Sequence, residues 1–99
     1  MSETPVPSAA KPIVIGDHAR VRIAERGTTE ENVIAAIPDG EREPARDGRE
    51  MCRLTLEFNR DWDGKYYNAQ QVAPIIVEED HQIVVVTVFT FYIRERDTP

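Results

Sequence analysis

The run Ile83 to Ile93, IVVVTVFTFYI, constrains this chain most, because no charged residue interrupts it. β-Branched and aromatic side chains fit an extended, pleated surface. Their continuity, in place of apolar–polar alternation, calls for cover on both faces and predicts a central strand. Regular alternation places Val84, Val86, Val88, Thr90 and Tyr92 on one face and Val85, Thr87, Phe89 and Phe91 on the other. The rest of the chain has to supply the cover.

Two short helices are predicted ahead of it. Asp17 is a good N-cap for a helix from His18, on which Ala19, Ile23 and Val21 are the core candidates, and Gly27 ends it. Thr28 and Glu31 fit a capping box for a second helix, with Val33, Ile34 and Ile37 as its apolar face and Pro38-Asp39-Gly40 as its stop. Ile13-Val14-Ile15 is either an edge strand or a hydrophobic plug ahead of the first helix.

From Glu41 the period changes. Glu41 to Arg46 is a weak, highly charged strand candidate, and Asp47-Gly48 is a hairpin signal. Met51 to Phe58 alternates, with Cys52, Leu54, Leu56 and Phe58 on one face and Arg53, Thr55 and Glu57 on the other. Asn59 to Lys65 reads as a polar turn. Tyr66 to Glu78 is extended, and Pro74 within it marks an edge, a bulge or a break. Glu79 to Gln82 turns the chain into the last strand. The order predicts an α+β domain at 13–95, with two short N-terminal helices on one face of a three- to four-stranded antiparallel sheet. Met1 to Pro12 has three prolines and no hydrophobic core segment, and is expected to be a disordered tail, not a signal peptide.

The 99 residues suit one small domain. A net charge of −6 and a pI near 4.8 argue against attachment to nucleic acid by bulk electrostatics, although a local basic site remains open. The lone Cys52 excludes an internal disulfide framework and fits a cytoplasmic setting; it reads as a buried thiol or, alternatively, a nucleophile. No stretch is long and apolar enough to span a membrane.

Within this acidic chain His18, Arg22 and Arg26 fall at i, i+4 and i+8 and stack on one helical face. Arginine forks suit phosphate oxygens, and an imidazole can move a proton near neutral pH. These are the parts that metal-free RNA cleavage requires. The competing reading is a solvated face with its arginines paired to Glu or Asp, and Glu25 is near enough to neutralise one of them. His18 and His81 are the only histidines, and no Cys/His spacing marks a metal or cofactor site. Glu78, Glu79 and Asp80 are consecutive in a turn and diverge. Trp62, Tyr66 and Tyr67 could stack nucleobases, or could simply pack with their polar tips in water.

The pattern His18-Ala19-x-x-Arg22-Ile23-x-x-Arg26-Gly27, followed by Thr29-x-x-x-Val33, resembles the opening of domain-of-unknown-function family 4258. Ile83 to Thr90 is similar to that family's closing strand. Together the two motifs bracket roughly residues 17–93, with the middle matched loosely. The family is grouped with RelE-like, barnase, EndoU and colicin-type metal-independent ribonucleases. The resemblance implies a RelE/barnase-like fold, a toxin-like ribonuclease activity without cofactor or metal, and His18, Arg22, Arg26 and Thr87 as the active-site positions. Tyr67 is added as a substrate-binding candidate. RNA and a neutralising or regulatory protein are the expected partners. The low pI departs from the basic character of ribosome-directed RelE-like toxins. The alternatives are a non-enzymatic protein-binding module of the same fold, engaged through strand addition at Glu41 to Arg46, and a homo-oligomer pairing through the last strand.

Overall fold

The computed structural model describes residues 11–94. The elements are β1 (Ile13–Ile15), α1 (Asp17–Glu25), α2 (Glu30–Asp39), β2 (Glu41–Pro44), β3 (Glu50–Trp62), β4 (Lys65–Glu78) and β5 (Ile83–Ile93), with a short 3₁₀ turn at Arg46–Gly48 between β2 and β3. All five strands join one sheet in the order β1-β5-β4-β3-β2. The expected three- to four-stranded antiparallel sheet is therefore corrected to a five-stranded mixed one. The parallel pair is β1 on β5, with Ile13 opposite Ile83 and Ile15 opposite Val85. Three apolar residues carry no periodicity, so their strand character arises only from a partner far along the chain. Ile83 N–H donates to the Pro12 carbonyl (3.0 Å) and Gly16 N–H to the Val85 carbonyl (3.1 Å), which closes the pairing at both ends. The α+β character stands. Residues 1–10 of the expected tail lie outside the described residues, and Lys11 is bound to Glu78 (2.9 Å).

Gly16, not Asp17, is the N-cap of α1, and Asp17 becomes the acidic residue of the first turn, where the helix dipole favours it. The helix ends in a Schellman arrangement: Thr28 N–H reaches the Ile23 carbonyl (3.2 Å), and Gly27 takes φ +76°. The cap of α2 is Thr29, one residue later than the sequence reading; its hydroxyl accepts from Asn32 N–H (3.1 Å) while Thr28 is buried. Pro38 sits inside the last turn of α2 and does not stop it.

The polar turn expected at Asn59 to Lys65 is mostly strand. Only Asp63 and Gly64 turn, both at positive φ, as a two-residue hairpin with Asp-Gly favours. Asn59, at φ 48°, lies within a bulge where β3 gains a residue on β4. β4 is unbroken and central, and Pro74 is buried inside it.

One irregularity decides which face each late residue occupies. Ile76 pairs with Val85 but Ile75 pairs with Thr87, so Val86 is an extra residue in β5. Ile83, Val85 and then Val88 face the core, and beyond the bulge the even-numbered residues continue on that face. Thr87 and Phe89 are turned to the opposite, helix-free face. Strict alternation through the run therefore does not hold. The core between helices and sheet is Ile15, Ala19, Ile23, Val33, Ile37, Cys52, Val72, Ile76, Ile83, Val85 and Val88.

The corner between the helices tolerates no side chain. A Cβ on Gly27 would lie 2.6 Å from the Tyr92 hydroxyl and 2.7 Å from the Trp62 ring, in a backbone conformation that L-residues avoid. Gly27→Ala is expected to cost about 2–5 kcal/mol, combining left-handed strain and overpacking. Urea unfolding followed by circular dichroism checks this.

Candidate functional site

Of the stripe predicted on α1, His18 and Arg22 lie on the helix, while Arg26 is the C-cap residue just past its end, and the three have different surroundings. His18 is exposed, and Arg22 Nε lies 3.4 Å from His18 Nε2. The Arg22 guanidinium is held by Glu25 (2.7 Å), as the paired-face reading anticipated. Arg20 points away and pairs with Glu30 on α2. Arg26 has no ion-pair partner among the described residues, and its guanidinium carbon lies 5.1 Å from the centre of the Phe89 ring.

The backbone at Arg26 is tightly held. Its carbonyl accepts hydrogen bonds from the Thr90 hydroxyl (3.0 Å) and the Tyr92 hydroxyl. Gln70 Nε2 donates to the Gly27 carbonyl (3.0 Å) and to the Tyr92 oxygen (3.1 Å). Thr90 is thus the threonine that faces the helices. Thr87, the position implied by the resemblance, lies on the far face. No hydrogen bond joins His18 or Arg22 to Thr87 among the described residues. Arg26 reaches the same region as Thr87 through Phe89.

Tyr67 lies elsewhere. Its ring is 5.2 Å from Tyr92, and the Arg94 guanidinium carbon is 5.9 Å from its centre. Thr87 pairs with Ile75, eight residues along β4 from Tyr67, a separation of about 27 Å in extended chain. The two cannot belong to one small site. Trp62 stacks on Tyr92, with ring centres 5.5 Å apart and planes at 14°, and so closes the helix corner.

The far face carries an open cleft of about 430 Å³, with Met51 and Ile75 as its floor, Thr87 and Phe89 along the β5 side, and Arg46 and Arg49 at the end near the 3₁₀ turn. Neither Arg46 nor Arg49 has an ion-pair partner among the described residues. Glu43, also at this cleft, is occupied by Arg53 (3.1 Å). In the sequence Arg46 stands out only as the end of a charged strand candidate. The Arg-Asp-Gly-Arg turn was the available signal, but the floor beneath it depends on the pairing of three strands.

Two titrating groups lie away from the cleft. Burial raises the Cys52 thiol above its ordinary value, only partly opposed by Arg42, so it stays protonated at neutral pH. A buried, protonated thiol is a poor nucleophile. Hydrogen bonds from Lys11 and then Arg42 lower Glu78 below the usual carboxylate value. No group of three or more His, Cys, Asp or Glu side chains is placed to hold a metal among the described residues, and no described helix is long and apolar enough to cross a membrane. Comparison with protein-family models, curated proteins and solved structures finds no match.

Cys52 is expected to resist a thiol reagent such as dithionitrobenzoate in the native protein and to react fully in denaturant; rapid native labelling would contradict its burial. Glu78 makes a second expectation. A depressed folded pKa stabilises the fold above the unfolded value of about 4.5, and this contribution is lost as pH falls through the lower folded value. Glu78→Gln should therefore destabilise the protein at pH 7 and do so progressively less as pH falls below 4.5, as measured by urea midpoints.

Proposed function

We propose that the chain is a metal-independent RNA-cleaving domain centred on the exposed face of α1, with Arg26 as its principal phosphate-binding group. His18 takes the proton of a ribose 2′-hydroxyl, the 2′-oxygen attacks the adjacent phosphorus, the P–O5′ bond breaks, and the departing 5′-oxygen takes a proton from solvent water. The products are a 2′,3′-cyclic phosphate and a free 5′-hydroxyl. Arg22 and Arg26 stabilise the charge that develops on the phosphoryl oxygens. The observation that carries the reading is Arg26: a guanidinium without a carboxylate partner among the described residues, anchored through its own backbone at the C-cap of α1, one turn beyond the paired Arg22. The resemblance of the His18–Gly27 pattern to a ribonuclease-related family supports the same residues. Thr87 enters only at the Arg26 end, beside Phe89.

The second reading, a non-enzymatic protein-binding module, is favoured by a different observation, the open cleft on the far face of the sheet.

Oligoribonucleotides incubated with the protein and excess chelator are expected to yield fragments ending in 2′,3′-cyclic phosphate. His18→Ala should lower the rate by about 10²-fold or more, the usual contribution of a general acid–base group. Arg20→Ala, which removes only the bond to Glu30, should leave the rate unchanged. Binding of an uncleavable analogue should weaken with salt at a log–log slope of about −1.4, the value for two single-strand phosphate contacts. Intact RNA in every condition, or equal rates for wild type and His18→Ala, would overturn the reading.

A further inference from the structure

The cleft on the far face has a shape and a charge pattern that the ribonuclease reading does not use. Its floor is aliphatic, formed by Met51 and Ile75, and Ile75 is 8% exposed. Such a depression accepts a side chain. It is poorly suited to stacking a base, because the two aromatic rings of this face are already capped by guanidiniums: Phe89 by Arg26 at 5.1 Å and Phe91 by Arg53 at 5.6 Å. Of the cations without a carboxylate partner among the described residues, Arg46 and Arg49 line the cleft beside the 3₁₀ turn, and Arg26 lies over the Phe89 ring that lines its β5 side. From β2 to β5 the cleft crosses three strand spacings, about 14 Å. That is the length of about four residues of extended peptide.

We propose that this cleft docks an extended acidic segment of a partner protein, with one large apolar side chain seated on Met51 and Ile75 and carboxylates on either side of it meeting Arg46 and Arg49 at one end and Arg26 at the other. Charge complementarity selects this occupant. In a chain with 18 acidic and 12 basic side chains, Arg46 and Arg49 at this apolar hollow and Arg26 over its Phe89 have no carboxylate partner among the described residues. Planar guanidinium forks match carboxylates in geometry as well as in charge. The net charge of −6 repels such a segment at long range, so recognition depends on contact and not on steering. The site shares Arg26 with the ribonuclease proposal but does not rest on it, since binding is read without RNA.

The test is fluorescence anisotropy of the full chain with a fluorescein-labelled peptide, Asp-Glu-Phe-Glu-Asp, at low ionic strength. Replacing the peptide's Phe by Ala, replacing its acidic residues by Lys, or using the Arg46→Gln/Arg49→Gln protein should each weaken binding at least tenfold. Both arginines are exposed, so the double variant is expected to fold, and circular dichroism verifies it. Equal binding of the three peptides, or undiminished binding by the folded double variant, would overturn the proposal. So would tighter binding of labelled hexadeoxyuridylate that the same double variant abolishes, which would assign the face to nucleic acid.

Discussion

The carbonyl of Arg26 is the point on which the architecture turns. The last carbonyls of a helix have no partner within the helix and must find one elsewhere. Here two hydroxyls of β5, on Thr90 and Tyr92, supply it, and Gln70 of β4 ties the next carbonyl to the same tyrosine. Each such bond contributes only about 0.5–1.5 kcal/mol net, but leaving the buried groups unpaired would cost more. The Trp62 ring, stacked on Tyr92, fills the space where a side chain at position 27 would stand. The corner between the helices is thereby fixed to the end of the sheet remote from β1. Because the backbone of Arg26 is held there, its guanidinium extends over Phe89 and connects the helical stripe with the opposite face of the sheet.

The extra residue at Val86 is the second constraint. The buried positions of β5 follow one parity before it and the other after it. The shift brings Val88, Thr90 and Tyr92 to the helices, where the hydroxyls meet Arg26, and sends Thr87 and Phe89 to the cleft. It lies next to Pro74, which cannot donate a ladder hydrogen bond and is accommodated in a central strand beside this irregularity. The two faces of the molecule thus acquire different chemistry from one insertion: a closed, hydroxyl-rich clamp on one side and an aliphatic hollow edged with arginine on the other.

These features also mark what was legible in the sequence. The helices were readable because Ala19, Ile23, Val33 and Ile37 recur at helical spacing between glycine and capping signals. β5 was readable from its composition. Ile13–Ile15 was legible only as an edge strand or a plug, and it is an edge strand; its parallel pairing was not legible, because three residues have no period and their partner lies about seventy positions away. The face of Thr87 was not, because a bulge in an uninterrupted apolar run leaves no compositional mark. The stripe His18–Arg22–Arg26 was legible as a spacing, but the pairing of Arg22 with Glu25 and the placement of Arg26 over Phe89, without an ion-pair partner among the described residues, emerge only from the folded surroundings. The separation of Tyr67 from Thr87 likewise follows from strand register.

The clamp at Arg26 is tested most directly by removing its two hydroxyls and keeping the side-chain shapes, in Tyr92→Phe combined with Thr90→Val. Native-state hydrogen exchange at the Thr28 amide, which bonds the Ile23 carbonyl across the corner, reports on it without depending on any activity. The fold is expected to persist, exchange at this amide to accelerate by about tenfold or more, and global stability to fall by about 1–3 kcal/mol. Unchanged exchange at Thr28 with unchanged stability would contradict the claim that these hydroxyls hold the helices to the sheet.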